Sequence, residues 1–191
     1  MIRVLLAPLT HSHVVDFIED IRSSVFEELK RVFEKSHVEV YVWTDIVKPT
    51  IKCFDWSRIQ YYAPCLLKWL KEVFNGLSED YYVVGIGYLD GYDTGLNFVF
   101  GEASPSLRSA IVFTRRLDPE FYGLKHDYSL YLDRVRKEVI HELGHLLGLS
   151  HCRKRECVMS FSNSVFEVDR KDARFCNECV LKLRKTLAPQ F

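Results

Sequence analysis

Apolar residues recur along this chain with two spacings, and each change of spacing marks a new element. Residues 2 to 7 form a short apolar run rich in β-branched and leucine side chains. From Val14 to Lys35 the spacing becomes helical, carried by Phe17, Ile18, Ile21, Val25, Phe26, Leu29, Val32 and Phe33. His37 to Thr44 then alternates, with Val38, Val40 and Val42 on one face and Glu39, Tyr41 and Trp43 on the other, which predicts a strand. Lys48 to Tyr62 shows no period. Pro64 suits the first turn of a helix that continues through Leu67, Leu70, Val73 and Phe74 to about Gly76. Tyr81 to Tyr88 is apolar enough for a central strand, Asp90 to Gly95 reads as a turn, and Leu96 to Phe100 and Ser109 to Thr114 read as two further strands. Asp90 and Asp93 are taken as turn residues and not as a calcium site. After a connection from Leu117 to Asp127, a helix is expected from Ser129 to about Leu147. The order β-α-β-α-β-β-β-α predicts an α+β fold, a twisted mixed β-sheet with helices packed against it.

Composition narrows the class. The chain has 191 residues, which suits one domain, with residues 1–148 as its N-terminal portion and residues 149–191 as a smaller C-terminal subdomain. Lys plus Arg and Asp plus Glu both number 26, so no basic field points to nucleic acid or to an anionic membrane. No apolar stretch approaches the length of a membrane span, and the N-terminal apolar run is too short for a secretory signal. The expected location is the cytoplasm. Reduced thiols are then expected for the six cysteines, which makes metal ligation a better use of them than disulfides.

The chemistry concentrates between Glu138 and Cys152. His141, Glu142 and His145 make the pattern His-Glu-x-x-His, which Gly148 and His151 extend to His-Glu-x-x-His-x-x-Gly-x-x-His. Residues four apart on a helix share a face, so His141 and His145 can offer two imidazole nitrogens to one metal. A glycine can end the helix in a left-handed conformation, and Gly148 is placed to turn the chain so that His151 becomes the third ligand. Zinc accepts such a set and keeps a fourth position for water. Glu142 stands beside the metal, where a carboxylate can take a proton from that water.

Cys176 and Cys179 have the spacing of a structural zinc pair, and Cys152 and Cys157 could complete a closed tetrahedron of thiolates. A C-terminal piece of about 40 residues is of the size that recruits a metal for want of a core. Two zinc ions per chain are therefore expected. Because Cys152 follows His151 directly, the second metal would restrain the first site. Cys53 and Cys65 are left over and are read as small buried apolar residues.

The histidine pattern resembles that of the metzincin clan of zinc metallopeptidases, and the cysteines that follow it resemble those of the archaemetzincins. That resemblance implies a mixed sheet before the cleft, a methionine turn beneath the metal at Met159, and a side-chain pocket shaped by residues from Ser162 to Val168. It also implies an antiparallel edge strand that receives substrate in extended form, for which Leu96, Asn97, Phe98, Val99 and Phe100 are the candidates. Some clan members carry a tyrosine two residues beyond the methionine; here the residue is Phe161.

The function expected is peptide-bond hydrolysis on peptide or protein substrates by a monomer. A zinc-dependent peptide-binding protein without useful turnover is the alternative. A nucleic-acid module built on the cysteine cluster, suggested by Arg153, Lys154 and Arg155 with Lys182, Arg184 and Lys185, lacks interleaved aromatic platforms.

Overall fold

The computed structural model describes residues 1–11, 13–33, 37–77 and 79–187. Its main sheet has the order β2-β1-β5-β8-β7, made by β1 (Ile2–Pro8), β2 (Val38–Val42), β5 (Tyr82–Gly87), β8 (Ser109–Phe113) and β7 (Gly101–Ser104). The β1–β2, β1–β5 and β5–β8 pairs are parallel, and β7 alone runs antiparallel, at the edge. The strands β1, β5 and β8 read as continuous apolar runs because helices cover both faces of the sheet.

Alternation along β1 sorts the two cores. Val4 and Leu6 face α1 (Ile18–Val32) and α3 (Tyr128–Leu146), joining Ile21, Val25, Val135, Val139 and Leu143. Leu5 and Ala7 face α2 (Ala63–Val73), joining Leu66, Leu67 and Leu70. Beyond α3, the helix α4 (Val165–Arg170) packs against α3 and α5 (Asn177–Leu187) packs against α1.

The elements read from periodicity are present with ends shifted by a few residues, except the strand expected from Leu96 to Phe100; the expected helix end at Lys35 lies outside the described residues. Three readings need correction. The stretch from Lys48 to Tyr62 is not irregular throughout, since β3 (Phe54–Asp55), β4 (Gln60–Tyr62) and β6 (Gly91–Tyr92) form a second, small sheet whose strands are too short to show a period. Leu96 to Phe100 is not a strand: only Val99 makes a bridge, to Gly91. The antiparallel edge strand starts at Gly101, in a register fixed by the short turn through Pro105–Leu107 and a left-handed Arg108.

The third correction concerns Cys53 and Cys65, which are bonded to each other as a disulfide. Cys53 closes a short 3-10 turn and Cys65 lies in the first turn of α2, which brings their Cα atoms to 5.5 Å. Spacing along the sequence carried no sign of that approach. Among the described residues no helix is long and apolar enough to cross a membrane.

Candidate metal centre and cleft

The helix α3 starts with Asp127 capping the Leu130 amide at 2.9 Å and presents His141 and His145 one turn apart near its C-terminal end. Gly148 has φ 94°, and the Leu149 amide returns to the Gly144 carbonyl at 2.9 Å. That left-handed turn carries His151 back to the helix. The three imidazole rings meet, with centroids 4.7 Å apart for His141 and His145, 4.8 Å for His145 and His151, and 5.4 Å for His141 and His151.

The orientation of two of these rings is set by the backbone. His141 Nδ1 lies 2.7 Å from the Val158 carbonyl and His145 Nδ1 lies 2.8 Å from the Leu149 carbonyl. A carbonyl only accepts, so each ring carries its hydrogen on Nδ1 and presents a lone pair at Nε2. Those two Nε2 atoms stand 3.1 Å apart. Two lone pairs at that distance repel one another unless a cation lies between them, and burial further lowers the pKa of His141, His145 and His151, favouring the neutral, metal-binding form. The donor set fits zinc.

Glu142 is buried beside the histidines. Burial, then the neighbouring Glu138, push its carboxyl well above the ordinary range, while Lys171 acts in the opposite direction. Its side chain rests where a Cβ on Gly101 would sit, so the first residue of β7 has to be glycine for Glu142 to occupy its place. Met159 is fully buried under α3, and its carbonyl accepts from the Cys152 amide at 2.8 Å. Phe161 packs edge-on against His151 with ring centroids 5.0 Å apart.

Cys152, Cys157, Cys176 and Cys179 offer sulfur atoms that all lie within 4.8 Å of one another. The Cys152–Cys176 and Cys157–Cys179 sulfur pairs are each separated by 3.8 Å. The edge of a tetrahedron with zinc–sulfur bonds of about 2.3 Å is about 3.8 Å, so this cluster fits a closed zinc site. Burial pushes the Cys157 thiol up to about 11. A further group, Asp118, Glu120 and His126, has its Asp118 oxygens already engaged by the Glu120 amide and the Tyr88 hydroxyl.

The histidines and Glu142 line a cleft of about 750 Å³, together with residues 95–103, Phe161, Ser162 and Asn163. All five residues from Leu96 to Phe100 line it, as a loop. A cavity of about 810 Å³ between α1 and α3 lies away from the histidines. Sequence reading missed Lys171 and Glu138, a buried ion pair at 3.0 Å on the cleft floor, with side chains 1 % and 4 % exposed. Glu138 was signalled by its place three residues before His141 on the same helix face, whereas Lys171 comes from α4's end and has no local signal.

The profile of peptidase family M54 matches residues 6–185. The chain belongs to that family, the archaemetzincins. The archaemetzincin of Saccharolobus solfataricus is 41 % identical over 186 residues, 96 % of this chain and 93 % of that protein. The crystal structure of the archaemetzincin from Methanopyrus kandleri superimposes with a TM-score of 0.80 at 36 % identity, covering 98 % of this chain and 96 % of that one. A zinc-dependent peptidase from Methanocorpusculum labreanum superimposes with a TM-score of 0.77 at 32 % identity, covering 96 % of this chain and 100 % of that one. Archaemetzincin membership supports a zinc-dependent peptidase and agrees with the mixed α+β architecture and with a cysteine cluster, Cys152 to Cys179, that could form a zinc site.

Proposed function

We propose that this chain hydrolyses peptide bonds with one zinc held by His141, His145 and His151 and a second, structural zinc held by Cys152, Cys157, Cys176 and Cys179. The observation that carries this reading is the pair of Nε2 atoms 3.1 Å apart, each oriented through its Nδ1 by a backbone carbonyl. A zinc ion held there would polarise the scissile carbonyl and bring the pKa of its bound water to about 7.

Glu142 supplies the proton transfers. Its carboxylate takes the proton of the attacking water and hands it to the leaving amine. A divalent cation beside Glu142 favours the ionised form, against the effect of burial. An extended peptide adds to the free edge of β7, where main-chain hydrogen bonds position the scissile bond with little dependence on sequence. Gly101, the first residue of that edge, keeps strand and base in contact. Met159 forms an apolar floor and stays off the metal. Phe161 supplies no hydroxyl, so no phenol from that position assists the developing oxyanion. The chain acts as a single-domain cytoplasmic monomer.

Digestion of an unbiased peptide library by the zinc-loaded protein, with Glu142→Gln as control, tests the proposal. Cleavage that disappears in the variant, with zinc content and fold retained, is the expected result. Peptide binding without cleavage by the wild-type protein would replace hydrolysis with the peptide-binding alternative.

A further inference from the structure

Across the cleft from the histidines, the wall from Leu96 to Phe100 has one backbone bridge, and the carbonyls of Leu96 and Asn97 are held by side chains. Arg58 donates from Nη2 to the carbonyls of Leu96 and Asn97 at 3.2 and 3.1 Å, and Gln60 donates from Nε2 to the Asn97 carbonyl at 3.0 Å. Gln60 also donates to Asp90 Oδ1 at 3.1 Å, and the Asp90 carboxylate receives the fork of Arg116 at 2.7 and 2.9 Å. The Arg116 guanidinium then lies 4.6 Å from the centre of the Phe98 ring.

Gln60 and Asp90 are 4 % and 7 % exposed, so the network is close to dry and its bonds are strong and mutually dependent. Asp90 is therefore more than a turn residue. The network is fastened at its base by the Cys53–Cys65 disulfide: Cys53 immediately precedes β3 and Cys65 follows β4 inside α2, so the bond clasps the hairpin that carries Arg58 and Gln60.

We propose that Gln60, Asp90 and Arg116, clasped through Cys53–Cys65, are positioning residues that hold the Leu96–Phe100 wall in the shape that grips a peptide. None of the three lines the cleft, so they act through the wall. The wall presents Leu96, Phe98 and Val99, with Phe100 buried behind them, which suits an aliphatic or aromatic residue of the substrate. Its loss of order costs affinity and leaves the chemical step alone. The inference rests on the cleft being a peptide site.

The test compares zinc-loaded wild type, Asp90→Ala and the double variant Cys53→Ala/Cys65→Ala. Labelled hexapeptides carrying phenylalanine or serine at each position in turn are followed by fluorescence anisotropy, alongside kcat and KM. Hydrogen exchange is measured over residues 94–100 and over α3. Either variant should bind about tenfold more weakly, lose the preference for phenylalanine and exchange faster at 94–100, with α3 protection and kcat held within about twofold. The double variant serves if Asp90→Ala does not fold. Unchanged affinity, a rise in exchange spread equally over the fold, or a fall in kcat at constant KM would overturn the proposal. Wild type that binds with these responses but cleaves nothing leaves the positioning role standing and removes hydrolysis. Wild type that cleaves, with both variants indistinguishable from it, does the reverse; absence of any peptide binding removes both.

Discussion

Gly144 and Met159 share one volume: a methyl group added at Gly144 would overlap the Met159 Sδ and press on the Phe175 ring. The glycine between the first two histidines is therefore fixed by the methionine beneath the helix. Gly144→Ala should destabilise the protein by about 1–3 kcal/mol through overpacking and displace the floor of the metal site. A lower thermal midpoint together with weaker zinc retention is the expected pair of results; a wild-type midpoint would show that Met159 moves aside freely.

Gly101 and Glu142 stand in the same relation across the cleft. Gly101→Ala should push the carboxylate off its position while leaving both proposed zinc sites intact, and a displacement of about 1 Å is enough to lower kcat about a hundredfold. Steady-state kinetics with metal analysis tests this, and full activity in the variant would remove the proposed contact.

Lys171→Met should cost about 3–5 kcal/mol, because it strands the buried carboxylate of Glu138 without its partner. The double variant Lys171→Met/Glu138→Met should recover most of that loss. Chemical denaturation of the two variants is the measurement, and equal stabilities would mean that the pair is not energetically coupled.

Burial, with Asp93 nearby, raises the Glu102 carboxyl to about 7, and its Oε2 has no hydrogen-bond partner among the described residues. The folded state holds this proton more tightly than the unfolded chain, whose carboxyl titrates near 4.5. Stability from this group is therefore fully present at acid pH and lost as the pH rises through about 7. Glu102→Gln should raise the thermal midpoint at pH 8 and flatten its decline between pH 5 and pH 8. An unchanged profile would rule Glu102 out as its source.

The two proposed zinc sites should part with metal in order. The histidine site keeps a water position and should yield to mild chelation first, while the closed thiolate site should resist. Cys176→Ser should lower hydrogen-exchange protection from Cys152 to Cys179 and weaken the histidine site as well, since the Cys152 amide is tied to the Met159 carbonyl beside His151. Undiminished histidine-site affinity in that variant would show the two sites to be independent.

The regions of this fold readable from sequence are those whose burial repeats. The stripe from Phe17 to Val32 and the alternation of Val38, Val40 and Val42 each bury one face, so period alone revealed them. The meeting of the three histidines was readable because helix and turn geometry act within a dozen residues. What the sequence hid depends on distant neighbours. The Phe98 and Phe100 side chains look like strand residues, yet the ladder with β8 begins only at Gly101, where the missing side chain admits Glu142; ahead of it, the Phe100 carbonyl accepts from the Phe113 amide. Cys53 and Cys65 meet only because a 3-10 turn is folded against α2. Lys171 finds Glu138 across 33 positions.

The outer edge of β7 also bears on self-association. An open strand edge is a template for any extended chain, including the edge of another copy. Here the edge spans four residues, ends at Pro105 and lies inside a cleft walled by residues 96–100 and by α3. Pro105 has no amide hydrogen to donate and so stops the ladder at the strand's end. A short, recessed and proline-ended edge is a poor template for building fibres out of copies of the chain through β7.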